Sequence, residues 1–535
     1  MNGLIERVLE NWLDNASERT FQIPFCYMLQ AEGYTVLHMT RHCAMELGKD
    51  IIAIDKDGVP CAFQLKGAKN GKISIGLWRE INSQITDLVY LSINHPCIDS
   101  TKAHRSFLVT NGELEEEVVS AIADFNRSVE RNGHFKLKVI VRGQLIEKSK
   151  SLGLSLWPSE LSNINNFLEM FLLDGCSLIP KEKLSNLFES ILVLTRDSKG
   201  SFKKNECLRR ISSCALLCSA VISPFANKKN YVTELEAWTI YLAYTFAFAE
   251  RWKVKYKDIF PIVDIAFKII YNLLSSLCDE LMERKYFFEG DPFVDKPLYR
   301  VRMTLLVSLM SLYALLRRKS NEEYDKRDEF IKDFCQIKQK QLNLWGEAAI
   351  PQFLVYIWYL RTIDSTPRTD FLIEKLINSI LKMNDPDGEN YLANPYFNEE
   401  DIFPYLLGLT RERLEESFRG ESYTLEGLMH LFVRRNWKQE MKLLWPEISK
   451  FGFSSFIPDE NWQYYLWRSS NGVNISHIPP LTKRWDELLD EANESNGEMI
   501  PEYIKNDVLF FVLFLIIYPH RCRADVVRWV DSNIS

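Results

Sequence analysis

A chain of 535 residues is too long for one core, and roughly two to four domains are expected. Hydrophobic residues at 46% and charged residues at 26% mark a folded globular protein and exclude a disordered or fibrous one. The net charge of −7 argues against a surface that coats nucleic acid generally, so a polynucleotide partner has to meet a local basic patch.

Up to about residue 155, short β-branched strands alternate with helices. "YTVLHMT", "KDIIAID", "PCAFQLKG", "RSFLVTNG" and "FKLKVIVRG" read as strands. Helical patterns fall on "FQIPFCYMLQAEG", "LWREINSQITDLVYLSI" and "ELEEEVVSAIADFNRSVERNG". The last carries acids in its first turn, which suit the helix dipole, and a glycine after its end. This mixture predicts an α/β domain over residues 1–155. "GLSLWPSELSN" reads as the link onward, with Ser159 placed to cap the next helix.

From 156 to 535 helical periodicity dominates and convincing strands are absent, which predicts a large all-α domain. Breaks at "EGDPFVDKP" (289–297) and "NDPDGENYLANPYFNEED" (384–401) divide it into two or three sub-bundles. No repeat of solenoid length is sustained. The apolar run "VLFFVLFLIIY" (508–518) is far shorter than the ~20 residues a membrane span needs, so it reads as a buried helix. "EAWTIYLAYTFAFAERW" is similarly core-like, and no membrane partner is expected. The eleven cysteines form no CxxC pair and no signal peptide is apparent, which fits a reducing cytoplasm. Cys214 and Cys218, four apart in "SSCALLCSA", fall on one apolar helix face and read as core.

One stretch carries chemistry: "KDIIAIDKDGVPCAFQLKG", residues 49 to 67. Asp57-Gly58 is a tight-turn signal between alternating runs and predicts a β-hairpin. The pairing sets Asp50 opposite a residue between 63 and 65, beside Gln64. Strand alternation puts Gln64 and Lys66 on one face and turns Leu65 to the other. A hard cation suits such a group of donors. Mg²⁺ (or Mn²⁺) prefers oxygen ligands and is commonly held by one or two carboxylates together with water and phosphate. Asp50 supplies an anionic oxygen, Gln64 a side-chain oxygen, and Leu65 its backbone carbonyl. Without a metal, Asp50 and a phosphate 4 Å apart repel by roughly 4 kcal/mol at an effective dielectric of 20. The expected chemistry is metal-dependent phosphodiester cleavage, with Lys66 orienting the attacking water or offsetting charge on the phosphate.

Asp50 with Gln64-x-Lys66 on a hairpin resembles the PD-(D/E)xK nuclease superfamily, in particular Mrr-like restriction endonucleases with glutamine in place of the second acid. "FCYMLQAEGYTV" resembles that family's first helix and entry to the sheet, and "ELGKDI" the segment bearing the metal-binding aspartate. "SFLVTNGELEEEVVSAIADFN" resembles the strand and helix after the active site. The resemblance covers about the first 150 residues. It implies a restriction-endonuclease-like fold, Asp50, Gln64 and Lys66 as catalytic residues, and DNA as substrate. It also implies a prokaryotic restriction or anti-phage defence setting. The helical part would then sense a phage-derived trigger, bind a partner protein or hold the nuclease inactive, with a homo-oligomer one way to cut both strands. Relatives often begin the first helix with a Phe-Glu pair, whereas this chain has Phe21-Gln22. Glu46, four residues before Asp50, is the candidate to compensate as a ligand, or else an exposed loop acid. A neutral Gln64 favours weaker binding of a single metal.

Other readings are weaker. His38, His42 and Glu46 are spaced like zinc ligands on a helix, yet "YTVLHMT" reads as a strand. Lys69, Lys72 and Arg79 form a possible basic rim for DNA phosphates, or a solvated loop and helix start. "YYLWRSSNG" and "RRNWKQEMKLLW" interleave aromatic with basic residues, a pattern that stacks on bases or, more commonly, divides between core and solvated face. No Walker-type loop and no Gly-x-Ser-x-Gly elbow is present. The leading rival to the enzyme is a helical scaffold or sensor whose nuclease-like part binds nucleic acid or a partner without cutting. A ribonuclease is a further alternative.

Overall fold

The computed structural model describes residues 16–39, 48–68, 71–151, 161–194, 202–284, 297–363, 367–388, 391–397, 419–468, 472–494 and 497–534, with a few positions near the N-terminus and around 402–409. It is mostly helical, with a small mixed sheet near the N-terminus. Compactness divides the chain into two units, Met1–Asn272 and Leu273–Ser535.

In the first unit, α1 (Glu18–Ala31) starts at Ser17, whose hydroxyl accepts from the Thr20 N–H and caps the helix. Then come β1 (Thr35–Met39), β2 (Ile51–Ile54), β3 (Pro60–Lys66), α2 (Ile75–Tyr90), β4 (Arg105–Thr110), α3 (Glu116–Arg131) and β5 (Lys138–Ile140). The sheet order is β1-β2-β3-β4-β5. The first three strands form an antiparallel meander, and β4 and β5 join in parallel. α2 and α3 are the crossovers that parallel pairing requires. Their apolar stripes (Trp78, Ile81, Ile85 and Leu88; Val118, Ile122 and Val129) pack with Ile52, Ala62 and Leu108 of the sheet.

Five helices follow: α4 (Arg142–Ser151), α5 (Leu161–Phe171), α6 (Lys181–Leu192), α7 (Lys204–Asn227) and α8 (Tyr231–Arg251); α9 (Tyr256–Glu283) holds the division between units. The composition changes near residue 156, but the compact unit runs on to 272, because α1 serves two cores. Phe25 meets Phe63 of the sheet edge-on, with centroids 5.5 Å apart, while Tyr27 stacks on Trp238 of α8 at 6.0 Å. Cys214 and Cys218 are fully buried in α7, as their spacing predicts.

The second unit comprises α10 (Pro297–Lys319), α11 (Lys326–Lys338), α12 (Ile350–Ile363), α13 (Pro367–Met383), β6 (Glu421–Ser422), α14 (Leu425–Arg434), α15 (Lys438–Ile448), β7 (Gly452–Ile457), β8 (Val473–His477), α16 (Trp485–Asn493), α17 (Glu502–Lys505), α18 (Val508–Ile517) and α19 (Ala524–Asn533). The expectation of an all-α region needs correcting, because β8-β7-β6 form a three-stranded sheet. β8 alternates apolar Val473 and Ile475 with polar Asn474 and Ser476, but the run is only five residues long and is exposed at every position, so it is easily passed over among helical patterns. α18 is the buried helix expected at 508–518. The predicted break at 289–297 lies almost wholly outside the described residues, as does Ser159.

Three described helices, α7, α9 and α10, are long and apolar enough by length and composition to cross a membrane. In their most apolar windows 78%, 56% and 67% of residues are buried inside the protein. The longest-run reading missed them because polar residues interrupt each apolar stretch.

Candidate active site

The site grows from the β2–β3 hairpin. Its loop is closed by Asp55, whose carboxylate accepts from the N–H groups of Asp57 (3.0 Å) and Val59 (2.9 Å) and pairs with Arg105. Gly58 takes φ +80°, a conformation that favours glycine and lets the chain reverse there. Beyond the loop the strands are in register with Ile54 opposite Pro60 and Ile51 opposite Phe63. That register extends to Asp50 beside Gln64, and the Asp50 N–H donates to the Phe63 carbonyl at 2.8 Å.

The pair is in direct contact. Asp50 Oδ2 accepts from Gln64 Nε2 and from the Leu65 N–H, each at 2.6 Å. Gln64 Oε1 is buried with no hydrogen-bond partner. An orphaned buried carbonyl oxygen is costly, and a cation is one thing that satisfies it. The Gln64 amide also reaches back toward the Leu65 carbonyl at 3.4 Å. Thus the Gln64 amide nitrogen faces the oxygens of Asp50 and Leu65, and a half-turn of that amide would set Oε1 toward them in its place. Among the described residues no group of three His, Cys, Asp or Glu side chains could hold a metal. A cation here would depend on one carboxylate and neutral oxygens, a donor set that suits Mg²⁺ with much of its water retained.

Lys66, two residues along β3, has Glu18 as its partner, with Nζ 3.4 Å from Oε2. Glu18 Oε1 also accepts from the Gly67 N–H at 3.2 Å. Sequence reading missed Glu18. Position 22, where the resemblance leads one to expect an acid, holds Gln22, which donates from Nε2 to the Asp50 carbonyl at 3.1 Å. Glu18 and Gln22 are four apart on α1 and so share a face, the signal that would have found the acid. One holds the lysine and strand end; the other holds the backbone of the aspartate.

The Asp50 and Gln64 side chains are nearly closed to solvent, with residue exposures of 6% and 4%. Lys66 and Glu18 form the more open side, at 14% and 32% for their side chains. Lys72 and Arg79 are exposed, Lys72 on a short bridge (Lys72–Ile73 with Glu113–Leu114) and Arg79 on α2. Glu46, Lys69 and His42 lie outside the described residues. His38 sits on β1 opposite Ile52, as the strand reading expects.

The approach to Asp50 is tightly built. Gly48 has φ +75°, and a Cβ there would stand 2.6 Å from the Gln84 carbonyl of α2 and 3.5 Å from Gln64 Oε1. Gly48→Ala should therefore cost about 2 kcal/mol or more, from left-handed backbone plus a clash with main chain. Denaturant unfolding measures this, and a wild-type midpoint would contradict it.

Lys49 is 3% exposed and donates to the Asp87 carbonyl at 3.3 Å. Burial pushes its ammonium down from 10.5 to about 8, against a smaller opposing pull from Asp87. Between those values the unfolded chain holds a proton that the folded chain has released. Stability therefore rises with pH from about 8 to about 10.5, and the cost of burying the charge is fully present below pH 8. Lys49→Met should add up to about 3 kcal/mol at pH 7 and flatten that alkaline rise. Unfolding curves at neutral and alkaline pH test it; an unchanged slope in the variant would refute the assignment.

No family model, curated protein or solved structure matches this chain.

Proposed function

We propose that the N-terminal α/β part is a metal-dependent DNA endonuclease of the PD-(D/E)xK kind. The observation that carries this reading is the register that sets Asp50 on Gln64, with the Leu65 backbone in the same contact and Gln64 Oε1 left without a partner. Asp50, Gln64 Oε1 and the Leu65 carbonyl would hold Mg²⁺ or Mn²⁺. The bound ion would polarise the scissile phosphate and acidify a water. Asp50 supplies the fixed negative charge that attracts the cation, and the Leu65 N–H and Gln22 keep it in place. Lys66 brings positive charge to the more open side, where a phosphate would enter, and Glu18 orients it. Glu46 remains a candidate further ligand, and Lys69, Lys72 and Arg79 a candidate rim for DNA phosphates.

The helical remainder is proposed to regulate or recruit the nuclease, through a partner protein or phage-derived trigger, in a cytoplasmic prokaryotic defence setting. A homo-oligomer would allow both strands to be cut. The test is plasmid DNA incubated with the protein and Mg²⁺ or Mn²⁺, wild type against Asp50→Asn and Lys66→Ala. RNA offered in competition separates a ribonuclease.

A second reading has its own support. Asp50 and Gln64 are nearly buried and bond to each other, which suits a nuclease-like module that binds nucleic acid or a protein without cutting. Equal DNA binding by all three proteins, with no cleavage under any activation, would favour it.

A further inference from the structure

We propose that the second unit holds a nucleotide-binding pocket between α15 and residues 481–488, in which a base stacks on tryptophan and lysines hold the phosphate. The cavity measures about 470 Å³, within the roughly 300–1,000 Å³ usual for small-ligand sites. It also gives a role to part of "RRNWKQEMKLLW", where aromatic and basic residues alternate.

α15 sorts that stretch by face. Lys438, Met441, Lys442 and Trp445 are spaced i, i+3, i+4 and i+7, so they share one stripe, and all four line the cavity. Trp437 falls elsewhere and packs on Phe432, with centroids 5.6 Å apart. The opposite wall brings Lys483 and Trp485. Trp445 Nε1 donates to the Leu481 carbonyl at 2.8 Å, which ties the two walls together and spends the indole's polar atom on protein. What Trp445 offers a ligand is its ring.

The charge is one-sided, with three lysines and no carboxylate among the lining residues. Lys438 lies over the Trp485 ring, Nζ 5.8 Å from the centroid, and Lys483 pairs with Glu491 outside the cavity at 2.5 Å. Lys442 is exposed and makes no ion pair among the described residues. Lysines bind phosphate as point charges, and indole faces stack on bases whatever their identity. A bare polyanion has no use for two tryptophans, and an apolar ligand none for three lysines. A nucleotide answers both. It can come as a free nucleotide or as an unpaired base within a single strand.

This inference does not rest on the nuclease reading, since cleavage is not among its readouts. Calorimetry on the full chain, in EDTA, offers each of the four ribonucleoside triphosphates, a short mixed-sequence single-stranded oligodeoxynucleotide, and inorganic tripolyphosphate. Binding of a triphosphate nucleotide or of the oligonucleotide is expected, and whichever binds identifies the source. Lys442→Glu and Lys438→Glu, both at exposed positions, should weaken it by roughly tenfold or more. Trp485→Ala should weaken nucleotide without creating tripolyphosphate binding, and melting curves confirm that each variant is folded. The proposal is overturned if no nucleotide or oligonucleotide binds, if tripolyphosphate binds as tightly as they do, or if the folded lysine variants keep wild-type affinity.

Discussion

On the proposed nuclease reading, cleavage of plasmid DNA should fall by about a thousandfold or more in Asp50→Asn, since a unit charge about 4 Å from even one positive charge is worth about 4 kcal/mol at an effective dielectric of 20. Asparagine is the informative replacement. Alanine would strip the acceptor from both Gln64 Nε2 and the Leu65 N–H, at about 1–3 kcal/mol for each group left buried and unmet. Asparagine keeps the size and one acceptor oxygen while removing the charge. Lys66→Ala should lose a similar share of activity with little change in stability, because its ion pair with Glu18 is partly exposed and such pairs contribute at most about 1 kcal/mol. Folded Asp50→Asn protein that cuts at the wild-type rate would end the nuclease reading.

The largest expected loss of stability belongs to the second unit. Glu347 is 1% exposed, and its carboxylate collects donors from residues distant in sequence. Oε2 accepts from the Thr424 hydroxyl (2.7 Å), the Ser422 hydroxyl (2.8 Å) and the N–H groups of Tyr423 and Thr424 (3.0 Å each); Oε1 accepts from Asn384 Nδ2 at 3.3 Å. Residues 422–424 immediately precede α14, whose positive dipole end favours an anion nearby, while the Leu425 N–H is met by the Ser422 hydroxyl. Burial pushes the Glu347 pKa up and these hydrogen bonds pull it down, burial being the larger effect. Glu347→Ala leaves the donors buried without an acceptor and should cost about 3–5 kcal/mol. For a unit of this size that is a fall of very roughly 10 °C in melting temperature. A wild-type thermal midpoint in the variant would contradict the account.

Local chemistry was legible wherever neighbours in sequence set it. Asp57-Gly58 announced the turn, and the alternation on either side predicted the pairing that sets Asp50 on Gln64. Glu18 was harder to see, because its partner Lys66 is 48 residues away and only its spacing of four from Gln22 on α1 marks it. Strand β8 was missed for another reason. Its Val473 and Ile475 do alternate with polar residues, but the run is short and both faces are exposed, so only the partner strand marks it as a strand.

By itself the sequence determined the hairpin, the helices with a clear apolar stripe, and the three polar residues near the end of β3. These depend on turn geometry and side-chain period, which act over a few residues. Tertiary structure decided which helix carries the second acid, why the first compact unit extends to residue 272, and how Glu347 comes to gather the donors of residues 422–424. It also set Trp437 against Phe432 and Trp445 in a basic cavity, although both occur in one stretch. Those outcomes turn on which faces meet, and burial becomes known only once distant segments have packed.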